Sequence, residues 1–270
     1  MKNIFFSVIL FSSISVTAQI DSLISAERRF AKYALDVNTK EAFLKFMDTN
    51  AIVFNKGVIE NAVESWSNRK VNPAKLIWEP AYAILSASKD IGITTGPWWY
   101  KQTMQDTVLA QGHFATVWHK TSAGEWKWIV DLGIDHDQKN SPVSNVNAIA
   151  LTQLTKFSLD AKSLMHQAEA NLIKDYTANG KQAFAKVADD NLWFNKNGAY
   201  PSYTLGELST AVNNIPDGIE FKMAGSGISK EGDLGYVYGY ASLNGKTENY
   251  LRVWKRAGRK WTLILQTLTI

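Results

Sequence analysis

The sequence predicts an α+β fold: two tandem cone-shaped domains, each with about three N-terminal helices packed on a curved antiparallel sheet. Three observations predict it. Helical spacing gives way to alternating strands within the first half of the chain. The same order returns in the second half. Blocks of sequence also recur in order, at an offset of about 140 residues. Ala42-Phe43-Leu44-Lys45 recurs as Ala183-Phe184-Ala185-Lys186, and Phe54-Asn55-Lys56 as Phe194-Asn195-Lys196. Asp90-Ile91-Gly92 recurs as Asp233-Leu234-Gly235, and Val117-Trp118 as Val253-Trp254.

Each element of the first copy has its own local reason. Residues 22–37 carry Leu23, Ala26, Phe30, Tyr33, Ala34 and Val37 at helical spacing. Thr39 is placed to cap a second helix over 40–47, with Phe43, Phe46 and Met47 on one side. Residues 51–54 form a short strand, Asn55-Lys56-Gly57 a turn, and 59–67 a third helical stretch. Strands are expected at 75–79, 82–88, 91–102, 108–120 and 125–134, separated by polar turns. The last two carry sizeable groups on both faces. One face therefore belongs on the helices and the other on a second sheet.

Ahead of this unit, Lys2, the apolar run 4–14 and Val16-Thr17-Ala18 read as a secretory signal peptide cut after Ala18. The division is then signal peptide 1–18, first domain 19–137, linker 138–158 and second domain 159–270. No later apolar run is long enough to span a bilayer, so no membrane span is expected. Localisation is expected to be bacterial, periplasmic or secreted. The 270 residues are 46% hydrophobic and 20% charged, which excludes a disordered chain. The formal charge of +4 comes without a dense Lys/Arg block, so no nucleic-acid partner is expected. Without cysteine there is no disulfide, thiol nucleophile or cysteine zinc site. Ten Trp, ten Tyr and twelve Phe supply aromatic area for a core or an apolar pocket.

The two helices, then Phe46-Met47-Asp48-Thr49-Asn50-Ala51-Ile52-Val53-Phe54, then Lys89-Asp90-Ile91-Gly92, then Gly112-His113-Phe114-Ala115-Thr116-Val117-Trp118 and Gly124-Glu125-Trp126-Lys127-Trp128-Ile129-Val130-Asp131 carry a resemblance. The chain resembles the nuclear transport factor 2-like superfamily. Within it, the chain resembles secreted bacterial domains of unknown function related to ketosteroid isomerase and to SnoaL-like polyketide cyclases. The resemblance implies a cone with a natural cavity, on a fold that hosts enzymes, binding modules and assembly domains. It also implies pairing through the sheets, here as an intramolecular pseudo-dimer of the two domains. The isomerase roles fall on Asn55 and Asn195 for the base, Ala31 and Ile173 for the helix tyrosine, and Thr116 and Arg252 for the late acid. None of these side chains can fill its role, so isomerase chemistry is not expected.

The candidate ligand-binding residues are Asn55, Thr116, Trp118 and Asp131 in the first copy, and Asn195, Tyr250, Arg252, Trp254 and Gln266 in the second. Asp131 is the best catalytic candidate. Strand parity places it on the concave face together with Ile129, where a carboxyl needs a partner or acquires a raised pKa. Gln266 is its neutral counterpart, and Arg252 would make the second pocket basic. Asn55 and Asn195 serve either as turn formers or as pocket contacts. His113 and His119 are about 20 Å apart along one strand and form no site. Asp135-His136-Asp137 is expected as a solvated turn, and no metal or cofactor is expected. Trp98-Trp99-Tyr100 is either a ligand platform or a packing surface. The expected function is binding of a small apolar or amphipathic molecule without catalysis. The alternative is a SnoaL-like cyclase, dehydratase or hydrolase using Asp131 as acid or base, and a cone filled by its own side chains is a third reading.

Overall fold

A computed structural model describes residues 11–152 and 160–270, with side chains omitted for 11–17 and Leu205. Most of the expected signal peptide and the end of the expected linker therefore lie outside the described residues or side chains. The first helix, α1, spans Phe11–Asp36 and passes through Ala18 without a break. Its buried face includes Ile20, Leu23, Phe30 and Ala34, spaced to cover one side of a helix. α2 spans Thr39–Phe46. Its cap is Asn38 and not the expected Thr39: the Asn38 side chain accepts the Glu41 N–H at 2.9 Å from extended backbone.

The stretch expected as one helix over 59–67 divides. β1 (Met47–Asn55) turns back into β2 (Val58–Asn61), and only then does α3 (Ala62–Ser67) begin. Lys56 and Gly57 both adopt positive φ, which closes a tight hairpin and carries the strand past the turn. Asn61 then caps α3 by accepting the Glu64 N–H at 3.0 Å. β3 (Lys75–Trp78), β4 (Tyr82–Leu85), β5 (Ile91–Lys101), β6 (Ala110–Lys120) and β7 (Trp126–Asp135) follow. The expected linker contains β8 (Asn147–Ala150), which pairs in parallel with β4. The first sheet runs β2-β1-β7-β6-β5-β4-β8, with β3 also on β5.

The second unit repeats the plan with α4 (Ala161–Asn179), α5 (Gln182–Val187), β9 (Ala188–Lys196), α6 (Leu205–Asn213), β10 (Glu220–Ile228), β11 (Leu234–Leu243), β12 (Lys246–Ala257) and β13 (Lys260–Leu268). Its sheet runs β10-β11-β12-β13-β9. The sheets are antiparallel except where β1 joins β7, β9 joins β13 and β8 joins β4. Among the described residues no helix is long and apolar enough to cross a membrane.

A bulge sets the inward side of each sheet. Val117 faces Val130 but Trp118 faces Trp128, leaving Ile129 extra; likewise Val253 faces Leu265 and Trp254 faces Leu263, leaving Ile264 extra. An extra residue flips every later side chain to the other face. Trp118, Trp126 and Trp128 therefore join the first cone's core, while Ile129 and Val130 pack in a separate layer. This corrects the expected sharing of a face by Asp131 and Ile129.

That separate layer combines Ile84, Ile93 and Val117 of the first sheet with Leu251, Val253 and Ile264 of the second. At its rim two loops exchange equivalent bonds. The Asp233 carboxylate accepts the Ala87 N–H at 2.7 Å, and the Asp90 carboxylate accepts the Lys230 N–H at 3.1 Å.

Candidate functional site

The two cones share one feature that the sequence reading did not single out: a glutamate buried on the first helix of each unit. Glu27 in α1 is fully buried and accepts the indole N–H of Trp78 at 2.6 Å, the Thr94 hydroxyl at 2.6 Å and the indole N–H of Trp118 at 3.0 Å. Glu169 in α4 accepts the Tyr250 hydroxyl at 3.0 Å, the Arg252 guanidinium at 2.5 Å and the Trp254 indole N–H at 3.0 Å. The signal was present. Ala26-Glu27 and Ala168-Glu169 occupy matching places on the apolar faces of the two helices, where a repeated charge needs an explanation.

In the first cone this acid lies close to a cavity of about 260 Å³. Phe30, Phe43, Leu76, Trp78, Trp98 and Phe114 make its apolar wall, and Thr116, Asp131, Gly133 and Asp135 complete it. A wider vestibule of about 420 Å³ shares Asp131 and Gly133 and adds Lys56, Arg69 and Glu248. The Thr116 hydroxyl donates to Asp131 Oδ1 at 2.7 Å across β6 and β7. Water reaches part of Asp131, yet protein surrounds it, and this loss of bulk solvent pushes its carboxyl up to about 6 against the pull of the Thr116 bond. Burial raises Glu27 to about 7; its three hydrogen bonds oppose that shift, and the charge of Asp131 adds to it. Among the described residues neither acid has a basic partner.

Gly133 keeps the cavity open. A glycine within a strand weakens it unless something needs the space. A Cβ at Gly133 would meet only ordinary contacts, 3.6 Å from the His113 carbonyl oxygen and 3.7 Å from the Trp98 indole nitrogen. The backbone thus tolerates a side chain there. In the second cone the matching place opposite Tyr250 is Leu268, which is fully buried.

The structure distributes the expected site residues unequally. Thr116 and Asp131 line the cavity together. Trp118 is fully buried in the cone's core, its N–H given to Glu27 and Thr94. Asn55 lies outside on the exposed β1–β2 hairpin, donating to Glu60 at 3.1 Å. Asn195 faces the other domain, donating to Thr95 at 3.1 Å and accepting the Trp193 indole N–H at 2.8 Å.

Tyr250, Arg252, Trp254 and Gln266 retain no exposed surface. Expected to contact a ligand, they instead satisfy Glu169 and one another, with Arg252 Nε donating to Gln266 at 2.7 Å. Phe221 and Tyr250 stack on that guanidinium at 4.3 Å each. The expected basic pocket is therefore occupied by the chain's own glutamate and rings, because a buried guanidinium requires an acid.

The expected solvated turn at His136 is also corrected. His136 is buried, its Nδ1–H donates to the Gln138 carbonyl, and its Nε2 accepts from His113 Nδ1 at 2.9 Å. Burial and the neighbouring ring push His113 down to about 3, so the pair stays neutral at ordinary pH. Among the described residues no group of three or more metal-ligating side chains converges. Of the aromatic run after Gly96, Trp98 lines the cavity and gives its N–H to the Ile134 carbonyl at 3.2 Å.

No family model and no curated protein matches the chain. Solved structures do, each over about two-fifths of the chain. A nuclear transport factor 2-like protein from Cytophaga hutchinsonii is 17% identical, covering 40% of this chain and 98% of its own, at TM-score 0.31. A nuclear transport factor 2-like protein of unknown function from Shewanella oneidensis is 13% identical, covering 42% and 96%, at TM-score 0.34. A de novo designed protein with a curved β-sheet is 12% identical, covering 39% and 99%, at TM-score 0.34.

Proposed function

We propose that this is an exported tandem cone-fold protein whose first cone binds a small apolar or amphipathic molecule. The observation that carries the reading is the aromatic cavity kept open by Gly133, with Asp131 on its wall. Concave apolar sites with a few placed polar groups are the usual form of small-molecule sites. In this reading the second domain is the fused half of an intramolecular pseudo-dimer, supported by the reciprocal Asp90 and Asp233 bonds. Export rests on the Lys2, apolar run and Ala18 pattern, with domains taken as 19–137 and 159–270.

A second reading is favoured by one observation: Asp131, its carboxyl pushed up to about 6 by burial, stands on the cavity wall beside the space a substrate would fill. Asp131 would then be the acid or base of a cyclase, dehydratase or hydrolase.

The test uses Gly133→Leu, which fills the first cone as Leu268 fills the second. Small molecules released from the purified chain are identified by mass spectrometry, and their binding is measured with both proteins. A bound compound retained by the wild type and lost by Gly133→Leu supports the cavity reading. Equal retention by both proteins rejects it. If a compound is turned over, Asp131→Asn separates the readings: a binding protein changes affinity modestly, whereas an enzyme loses rate by about a hundredfold or more.

A further inference from the structure

The inner cavity is chemically one-sided. Its wall offers hydrogen-bond acceptors, and its side-chain donors are already committed. Trp78 gives its N–H to Glu27, Trp98 gives its own to the Ile134 carbonyl, and Thr116 gives its hydroxyl proton to Asp131. The Asp135 backbone N–H is taken by the Asn197 side chain at 2.9 Å. The polar residues that remain on the wall, Thr116, Asp131 and Asp135, add acceptors and no free side-chain donor.

Charge points the same way as hydrogen bonding. Asp131 and Asp135 line the inner cavity, and Glu27 lies close enough for the charge of Asp131 to act on it. The basic groups nearby, Lys56 and Arg69, belong to the vestibule, where the Arg69 guanidinium sits over the Trp66 ring at 4.1 Å. The remaining wall is aromatic, and aromatic faces attract cations. An anion would meet two carboxylates and no free donor. A neutral apolar molecule would leave Asp131 unpaired where protein displaces most of the bulk solvent.

We propose that the first cone selects a small organic cation: an apolar or aromatic body bearing one protonated amine whose N–H groups bond Asp131. This rests on the binding reading above and specifies the ligand's class. The ammonium supplies the donors that the wall lacks and the counter-charge that Asp131 lacks, while the body fills the space among Phe30, Phe43 and Phe114. The second cone already holds the protein's own version of this arrangement, an Arg252 guanidinium among rings on a buried glutamate.

The full chain is titrated by calorimetry and NMR with three probes of similar size: 2-phenylethylammonium, 2-phenylethanol and 3-phenylpropanoate. The ammonium is expected to bind at least about tenfold tighter than the alcohol, with the carboxylate weakest. Asp131→Asn keeps an oxygen for the Thr116 hydroxyl and is expected to abolish that preference. The Asp131 carboxyl resonance is expected to titrate at lower pH with the ammonium bound. Tighter binding of the alcohol or carboxylate, or a preference unchanged in Asp131→Asn, overturns the inference. If the alcohol binds and Gly133→Leu blocks it, the cavity reading survives that failure. If none of the three binds the wild type, both fall.

Discussion

Where the first cone has Gly133, the second has Leu268; where the first has Thr116 bonded to Asp131, the second has Arg252 bonded to Gln266. Both cones bury a glutamate from the first helix under three donors. In the second, one donor is a guanidinium, so the charge is matched and the rings close over it. In the first, all three donors are neutral, a second acid stands nearby and a cavity remains. One scaffold thus supports two answers to a buried carboxylate. One answer encloses a counter-ion within the fold. The other leaves both acids without one, and poorly solvated unpaired charge costs stability that a ligand can restore.

The largest expected effect lies in the closed cone. Arg252→Ala removes the guanidinium and strands Glu169 without its counter-charge. Breaking a buried pair in this way costs about 3–5 kcal/mol, read as a lower denaturation midpoint in urea. The matching substitution in the open cone, Thr116→Ala, removes one uncharged donor and is expected to cost about 1 kcal/mol. Similar losses at both positions would mean that the cones do not differ as described.

A smaller effect, opposite in sign, is expected at Asp131. Its carboxyl is raised to about 6 in the folded chain from an ordinary value of 3.8, so the folded state holds the proton more tightly. Stability from this group is complete below the ordinary value and is lost as pH rises through about 6. Asp131→Asn should therefore stabilise the free protein at pH 8, on the order of 2 kcal/mol, and leave it nearly unchanged at pH 4. Unfolding curves at the two pH values check this. No gain at pH 8 would mean that Asp131 already has a compensating partner.

The buried histidines run the other way. His113 is held neutral in the fold, down to about 3, so stability falls as pH drops below its ordinary value of 6.5. The acid limb of the stability profile should be shallower in His113→Gln.

The sequence made the elements and the duplication legible because periodicity and repeated blocks are local signals. Asp131 and Thr116 were legible as neighbours because adjacent strands with a short turn fix their register. The bulge at Ile129 was not. Trp128-Ile129-Val130 is apolar throughout, and nothing in its composition marks which residue is extra. β8 was missed because a four-residue edge strand draws its partner, β4, from far along the chain. By sequence alone Arg252 implies a basic pocket, because the acid opposite it carries no local signal. Glu169 lies on a helix 83 residues earlier in the chain, and only the fold brings the two together.

The finest test of the comparison is the asparagine that both copies carry after β-strand residues of the same spelling, Phe54-Asn55-Lys56 and Phe194-Asn195-Lys196. Identical local sequence here serves different ends. Asn195 is fully buried and holds three groups: the Trp193 indole N–H, the Thr267 hydroxyl, and Thr95 of the other domain. Its loss strands a buried indole donor and cuts a bond between the sheets, so Asn195→Ala is expected to cost about 1–3 kcal/mol. Asn55 is exposed and bonds to a neighbouring Glu60 on its own hairpin, where water replaces either partner. Asn55→Ala is expected to stay within about 0.5 kcal/mol of the wild type. Chemical denaturation of the two variants measures the gap directly. A cost at Asn55 equal to that at Asn195 would show that the hairpin side chain has a partner beyond Glu60, and the two copies would then be more alike than their contacts indicate.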